Sequence, residues 1–336
     1  MKSYNDASIL FLGASGQVGG AFPTVFRKYY PHYRLTAFLR STALDDALTS
    51  LGNTYIIHGT FSELSTIEEL SSTHSIVINC AASFNPPLTE TILRGIRRTQ
   101  APKKPILLHL SGAGNFVDHS TTGEYIPQSN PFNDANPNDV RKIDASYAPN
   151  GATDEIILQA AARGQVNALF VCPGAIHGNS ANHLGLAVGA ASAQAPGVWL
   201  LWNMEIIESK GFSPYVGSGT SVFRFVHVDD VVDLIILVFR KALETWDSYV
   251  PEDVYRHFYL AVDEEIVSKA VALGLADLVH RRGGIAEPVA RSVGFEEAGK
   301  VAGYIAGNLL VKNDNAKSLG WEPKGLGFLE TLRQTA

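Results

Sequence analysis

The chain contains little cysteine and has no excess of positive charge. Its 336 residues include two cysteines, and 27 lysines and arginines stand against 33 aspartates and glutamates, for a formal net charge of −6. Cys80 and Cys172 both lie in apolar, strand-like runs, which is typical of small core residues rather than of a disulfide or a metal site. Nucleic-acid phosphates require a basic surface, so we expect no nucleic-acid partner.

Long hydrophobic runs are also missing. The longest aliphatic stretch, residues 231–239, is interrupted by Asp233 and is far shorter than the roughly 20 residues that span a bilayer. The segment before Gly13 has too few apolar residues to form the core of a signal peptide. We therefore expect no membrane association and a location in the reducing cytoplasm.

A glycine-rich segment near the start of the chain carries the first functional signal. Residues 9–20 read ILFLGASGQVGG, an apolar run followed by Gly13, Gly16 and Gly19, and a helical pattern covers 17–29. Gly13 permits a tight turn, Gly16 lets a phosphate approach the backbone, and Gly19 lets the helix lie close to its strand. Unpaired N–H groups at the start of the helix would bind the anion. This context predicts a dinucleotide site, and a structural turn is the alternative.

Strand and helix patterns alternate along the first half of the chain. The predicted strands are 9–12, 34–40, 54–58, 75–80, 105–110 and 167–172. The helical patterns between them are 17–29, 62–71, 88–100 and 153–163. This alternation predicts an α/β fold with a doubly wound parallel sheet of the Rossmann type.

The second half of the chain indicates a smaller, mostly helical substrate-binding region. We predict a dinucleotide-binding domain over 1–178 and 221–263, with substrate-binding segments over 179–220 and 264–336. Within the returning segment, 221–228 reads as a strand and 229–243 as a helix. Aromatic residues of this half predict a lid over the substrate, formed by Trp199, Trp202, Phe212 and Phe223.

The residue after the second strand indicates which nicotinamide cofactor is bound. In this fold an acidic residue there bonds the ribose 2′-hydroxyl of NAD, whereas an arginine accommodates the 2′-phosphate of NADP. Here the strand ends at Arg40, Ser41 and Thr42 follow, and no carboxylate appears before Asp45. A guanidinium beside hydroxyl groups suits a phosphate. The sequence therefore favours NADP over NAD, with a surface arginine as the alternative.

Seven short motifs, in this order and spacing, are specific for one fold and much less so for one reaction. They are 13–19 (GASGQVG), 79–82 (NCAA), 110–114 (LSGAG), 172–178 (CPGAIHG), 215–219 (YVGSG), 225–230 (FVHVDD) and 315–323 (NAKSLGWEP). Over nearly its whole length the chain resembles the extended and atypical short-chain dehydrogenase/reductases, including the NAD-dependent epimerase/dehydratase and NmrA-like branches. The glycine turn, the strand ends and this resemblance together assign the cofactor to Gly13, Ser15, Gly16, Gln17, Val18, Gly19, Arg40, Ser41, Thr60, Phe61, Cys80, Ala81, Ala82, Pro173 and Ile176.

The resemblance also implies catalytic residues. Family members carry a serine or threonine after the fifth strand, and a tyrosine followed four residues later by a lysine. Ser111 and Tyr147 stand at the matching positions, but the position of the lysine is occupied by Gly151. Without a nearby cation a tyrosine titrates near 10, so Tyr147 would donate a proton during reduction but would be a poor base for oxidation. A tyrosine that only lines the pocket is the alternative.

These observations predict an NADP-dependent oxidoreductase acting on a small carbonyl or enone-like molecule, for which secondary metabolism is one setting. A non-redox isomerase, cyclase or dehydratase on the same fold is one alternative. An NmrA-like protein that senses the dinucleotide without turnover is another. No metal site is predicted. Family members often pair through two helices, here 88–100 and 153–163, so the resemblance is compatible with a homodimer.

Overall fold

The computed structural model describes residues 7–81, 83–128, 130–143, 149–191 and 197–335. Its strands, in chain order, are β1 (Ser8–Leu12), β2 (Arg34–Leu39), β3 (Thr54–His58), β4 (Ile76–Asn79), β5 (Ile106–Leu110), β6 (Phe132–Asn133), β7 (Asn167–Pro173), β8 (Ala175–His177), β9 (Ser213–Val216), β10 (Val222–His227), β11 (Phe258–Ala261), β12 (Glu265–Val267), β13 (Ala290–Val293) and β14 (Val311–Lys312).

Helices cover both faces of the main sheet and build the region beside it. They are α1 (Gln17–Tyr29), α2 (Asp45–Thr49), α3 (Leu64–Thr73), α4 (Pro86–Arg98), α5 (Pro137–Val140), α6 (Gly151–Ala162), α7 (His183–Ala191), α8 (Val198–Lys210), α9 (Val228–Glu244), α10 (Ser268–Arg281), α11 (Ala302–Ala306), α12 (Asp314–Ser318) and α13 (Phe328–Gln334). Short 3-10 helices lie at Thr42–Leu44, Ala113–Phe116, Trp246–Ser248, Pro251–Arg256 and Glu296–Val301.

A seven-stranded parallel sheet forms the centre of the molecule. Its strand order is β11-β7-β5-β4-β1-β2-β3, so the chain starts in the middle, winds to one edge and then returns to build the other. Sheets of this kind are covered by helices on both faces, and their strands are therefore continuously apolar. Residues 9–12 of β1 illustrate this, since all four are fully buried. The predicted doubly wound parallel sheet is confirmed.

The boundaries of most predicted elements agree with the structure to within two residues. The helix predicted over 17–29 is α1, and the strand predicted over 54–58 is β3. The strand predicted over 221–228 is β10, which pairs with β8 and β12 in a separate small sheet. β11, the seventh strand of the main sheet, was not predicted. The chain after 264 is largely helical, but it also contributes the short strands β12, β13 and β14.

The region outside the main sheet divides between two positions. α7 packs against α1, where a Cβ atom placed on Gly20 would lie 2.6 Å from Val188. α8 and α11 instead pack beside a smaller core that includes Val216, Val301 and Ile305. Of these three helices, α8 and α11 are therefore the ones that can lie beside a ligand.

The structure also describes the two cysteines and the apolar helices. Both cysteines are free: Cys172 is buried in β7, and Cys80 follows β4. Among the helices described, none combines the length and the apolarity needed to cross a lipid bilayer.

Candidate functional site

The glycine turn between β1 and α1 has the geometry of a phosphate-binding loop. Gly13 has a φ of +104°, and a Cβ atom there would lie 2.8 Å from the backbone of Cys80 on the neighbouring strand connection. A Cβ atom on Gly16 would meet nothing closer than 3.5 Å, so space is open above it. A Cβ atom on Gly19 would lie 1.7 Å from the carbonyl oxygen of Gly13. α1 can approach the turn this closely because Gly19 has no side chain.

A cavity of about 780 Å³ opens at this turn and follows the carboxyl ends of the main-sheet strands. In open parallel sheets this edge is where ligands bind. The residues assigned to the cofactor that line the cavity are Gly13, Ser15, Gly16, Gln17, Val18, Arg40, Thr60, Phe61, Cys80, Ala81, Pro173 and Ile176.

Two described residues of the predicted cofactor set have other positions. Gly19 packs against the turn instead of facing the cavity. The Ser41 hydroxyl accepts a hydrogen bond from the backbone N–H of Ala43 and caps the 3-10 helix Thr42–Leu44. Ala82 lies outside the described residues.

An arginine lies at one end of the cavity, and the next acidic residue along the chain is bonded to a histidine. Arg40 follows β2, is exposed, and forms no hydrogen bond or ion pair with any described residue. The carboxylate of Asp45 lies 3.0 Å from Nε2 of His58, and Asp45 does not line the cavity. Phe61 packs on Phe38 with ring centroids 6.0 Å apart and gives this end an apolar wall. This end of the cavity can hold an aromatic ring beside an anionic group.

At the other end, Ser111 follows β5 and is tied to a buried carboxylate. Its Oγ donates a 2.6 Å hydrogen bond to Oδ2 of Asp154, which is 1% exposed. Nδ2 of Asn115 donates to the same oxygen at 2.7 Å. Asn115 in turn accepts hydrogen bonds from the backbone and side chain of Asn150, which also lines the cavity. Ser111 therefore presents a fixed hydroxyl at the cavity wall.

Burial shifts the titration of the groups behind Ser111. Burial raises the pKa of Asp154 to about 7, although its hydrogen bonds from Ser111 and Asn115 oppose the shift. His109, on β5, is fully buried, and burial lowers its pKa to about 3. Its Nε2 lies 3.7 Å from Oδ1 of Asp154, too far for a hydrogen bond. At neutral pH a neutral imidazole therefore faces a carboxyl group that titrates in the physiological range.

The predicted tyrosine lies outside the described residues, so the assignment of Tyr147 stays a prediction. Gly151, where family members carry a lysine, is the first residue of α6, two residues earlier than the predicted helix start. A different tyrosine, Tyr304 of α11, lines the cavity, and burial raises its pKa. Its ring meets that of Phe223 edge-on at 5.9 Å. Sequence reasoning did not single out Tyr304.

Aromatic residues form the cavity wall on the side of α8. Three of the four residues predicted for the lid line the cavity, namely Trp199, Trp202 and Phe223, together with Phe84 and Tyr304. The rings of Trp202 and Phe84 lie 6.0 Å apart, and Phe84 is half exposed. Phe212, also predicted for the lid, does not line the cavity and packs under the guanidinium of Arg291. This end of the cavity is suited to an apolar, flat molecule.

The sheet order, the glycine turn and the cavity along the strand ends define a Rossmann protein of the short-chain dehydrogenase/reductase type. The chain belongs to the NAD dependent epimerase/dehydratase family, whose model matches residues 9–250. Members of this family are oxidoreductases, dehydratases and epimerases that use nicotinamide dinucleotides.

Relatives agree with this assignment over almost their whole length. The chain is 23% identical to the oxidase ucsJ of an Acremonium species, over 96% of this chain and 95% of the relative. The structure of DesIV, a dTDP-glucose 4,6-dehydratase of Streptomyces venezuelae, matches with a TM-score of 0.64 and 15% identity, over 97% of this chain and 96% of that one. The dTDP-glucose 4,6-dehydratase of Bacillus anthracis, in complex with NAD, matches with a TM-score of 0.61 and 16% identity, over 98% and 95%.

Proposed function

We propose that the protein is an NADP(H)-dependent oxidoreductase that acts on a small, uncharged carbonyl or enone-like molecule. One observation carries the proposal: a single cavity joins the glycine turn, the guanidinium of Arg40, the fixed hydroxyl of Ser111 and an aromatic wall. The nicotinamide of a dinucleotide bound along the strand ends would lie beside Ser111, with the substrate against the aromatic residues.

The choice of NADP rests on the end of β2. The dehydratases of Streptomyces venezuelae and Bacillus anthracis were both solved with NAD. In this chain, however, the guanidinium of Arg40, which pairs with no described residue, lines the cavity, while the carboxylate of Asp45 is held by His58. A guanidinium can bind the 2′-phosphate that distinguishes NADP, and a carboxylate in that place would repel it.

Replacing this arginine gives the first prediction. We expect Arg40→Gln to weaken NADP binding about 10- to 100-fold, because hydrogen bonds to charged groups contribute about 1.5–3 kcal/mol each. NAD binding should change little. The measurement is calorimetric titration of both dinucleotides. Arg34→Gln is the matched control, since Arg34 lies at the opposite end of the same strand and stacks on Tyr55. Equal losses for NAD and NADP in Arg40→Gln would contradict NADP selectivity.

The substrate class rests on the charge of the cavity. Arg40 is the only charged residue among the described residues that line it. dTDP-glucose, the compound in the names of the two dehydratases, carries a diphosphate that needs cationic partners or free N–H groups. With aromatic side chains at the substrate end, an uncharged carbonyl compound fits this cavity better than a sugar nucleotide does.

A turnover assay tests the proposal directly. NADPH oxidation is followed with a panel of ketones, aldehydes and enones, and with a sugar nucleotide as the charged comparison. We expect turnover with members of the uncharged set and none with the sugar nucleotide. Tight NADPH binding without any turnover would favour the NmrA-like alternative. Conversion of a substrate without net NADPH consumption would favour a non-redox enzyme on this fold.

A further inference from the structure

The acid group behind Ser111 was not expected from the resemblance. Asp154 belongs to α6, whose buried side faces the main sheet, and its carboxylate reaches Oγ of Ser111 at 2.6 Å. Ser111 lines the cavity, whereas Asp154 does not. The carboxylate is therefore separated from a bound substrate by one hydroxyl group.

Neighbouring amides hold this pair in one orientation. Oδ2 of Asp154 accepts from both Ser111 and Nδ2 of Asn115, and Oδ1 of Asn115 accepts from the backbone N–H of Asn150 at 2.9 Å. The orientation of Asn115 is thus fixed by its own donor and acceptor contacts. As a result, Oδ2 of Asp154 remains directed at Ser111.

The second oxygen of Asp154 faces a neutral group. Asn79 accepts at Oδ1 from the backbone N–H of Ala81, so its Nδ2 is directed at Nδ1 of His109, 3.2 Å away. Nδ1 of His109 must then be the acceptor, which places the imidazole proton on Nε2, on the side of Asp154. Among the described residues, neither Nε2 of His109 nor Oδ1 of Asp154 has a hydrogen-bond partner. Within the described ranges, therefore, no cation compensates the carboxylate.

We propose that Asp154 is a positioning residue: it holds the proton that replaces the one Ser111 passes to the substrate. In this chain a glycine stands where family members carry a lysine. The proposal rests on the function proposed above. Bound NADPH would supply the hydride, and the carbonyl carbon of the substrate would accept it as the carbon–oxygen π bond breaks. With Asp154 protonated on Oδ2, the hydrogen bond between the two groups reverses, and the carboxyl O–H donates to Ser111 Oγ. The substrate oxygen takes the proton of Ser111 Oγ, and Oγ takes the proton of Asp154. The products are NADP, an alcohol and the Asp154 carboxylate, and water in the cavity then returns a proton through Ser111.

The burial of Asp154 sets the pH range in which it holds this proton. Burial raises its pKa to about 7, so the carboxyl group holds a proton below that pH and loses it above. The titratable neighbours are His109 on β5, whose pKa burial lowers to about 3, and Cys172 on β7, whose pKa burial raises. α4 and the 3-10 helix Pro251–Arg256 also pack on α6, and no charged side chain described there pairs with Asp154. Reduction should therefore slow as the pH rises through about 7.

The test compares Asp154→Asn with Glu155→Gln. Glu155 is the next residue of α6, is exposed and bonds Gln159, so its variant removes the same charge without touching Ser111. NADPH-dependent reduction is measured from about pH 5 to about pH 9. In Asp154→Asn we expect kcat to fall about 100-fold or more, with loss of the pH dependence near neutrality, because a general acid contributes about 10²–10⁴-fold. NADPH affinity should be unchanged, and Glu155→Gln should behave as wild type.

Two further measurements separate the possible failures. In Ser111→Ala, adding Asp154→Asn should cause no further loss, because the two groups act in one chain. In the wild-type protein with NADP, a carboxyl ¹³C resonance that is missing in Asp154→Asn should titrate near pH 7. A titration midpoint below about 5, or an unchanged pH profile in Asp154→Asn, would overturn the proposal. Absence of any wild-type reduction would instead overturn the proposed function, and the titration would still report on Asp154.

Discussion

Gly16 and Gly19 lie three residues apart, and they lack side chains for different reasons. Gly16 has an extended backbone with a φ of −90°, a conformation that any residue adopts, and the space above it is open. Its side chain would therefore point into the space that a diphosphate needs. Gly19 instead faces the carbonyl oxygen of Gly13, and any side chain there would push α1 away from the turn.

These positions predict two separable defects. We expect Gly16→Val to leave the free energy of unfolding within about 0.5 kcal/mol of wild type and to abolish NADP binding. We expect Gly19→Ala to destabilise the fold by about 1–3 kcal/mol, as overpacking does in a close-packed interior. Urea unfolding and calorimetric titration on both variants make the comparison. NADP affinity unchanged in Gly16→Val would place the diphosphate elsewhere.

Asp154 and Tyr304 differ in how far the sequence could have revealed them. Asp154 is in phase with Ile157, Leu158 and Ala161, all buried, so a carboxylate in the apolar stripe of a helix was a readable signal. Its neighbour Glu155 is exposed, because one residue along a helix turns a side chain by about 100°. Tyr304 carries no such signal, because only the fold brings its distant segment to the cavity.

The start of α8 packs against the glycine turn. Gly197 has a φ of +83°, and a Cβ atom there would lie 2.3 Å from Oε1 of Gln17 in the glycine turn. Nε2 of the same glutamine donates a 2.7 Å hydrogen bond to the carbonyl oxygen of Gly178. Gln17 thus joins the turn to the segment after β8 and to α8. The aromatic residues of α8 therefore follow a helix start that packs against the glycine turn.

This arrangement predicts that Trp202 of α8 contacts the substrate and does not contact the cofactor. With a carbonyl compound that is turned over, we expect Trp202→Ala to raise KM about 5- to 30-fold, since losing an aromatic contact costs about 1–2 kcal/mol. NADPH affinity should not change, because the ring lies against Phe84 in the aromatic wall. Steady-state kinetics and NADPH titration provide the measurement.

A matched control separates the contact from a general loss of aromatic surface. Tyr29 ends α1 with 65% of its surface exposed, and it does not line the cavity. Tyr29→Ala should therefore leave KM unchanged. A KM in Trp202→Ala equal to that of Tyr29→Ala would place the substrate elsewhere in the cavity.

Helices and strands could be predicted where their residues showed a clear hydrophobic periodicity. α1 combines a glycine turn with thirteen residues of amphipathic helix, and both of its ends were predicted correctly. β11 has four residues, FYLA, which follow two 3-10 helices. A run that short carries almost no periodicity, so only pairing with β7 in the folded chain identifies it as a strand.

Distant parts of the whole chain meet at a second buried carboxylate. Asp134, in the loop between β6 and α5, is 1% exposed and does not line the cavity. Its Oδ2 accepts from the backbone N–H groups of Leu260 in β11 and Ala316 in α12, at 3.0 and 3.3 Å. Its Oδ1 accepts from the N–H of Asn315 at 2.7 Å. One side chain therefore holds the loop, the edge strand and a C-terminal helix together.

Replacing Asp134 tests whether this junction stabilises the whole molecule. In Asp134→Asn the amide oxygen can keep the bonds from Leu260 and Ala316, but its NH₂ group then faces the N–H of Asn315. A buried donor left unpaired costs about 1–3 kcal/mol, so we expect the free energy of unfolding to fall by that amount. Asp314→Asn is the control, because Asp314 is exposed beside the junction and should change stability by less than about 0.5 kcal/mol. Urea unfolding followed by circular dichroism measures both, and NADP titration should show unchanged affinity. Equal stability of the two variants would mean that the loop is held to the sheet by its other contacts.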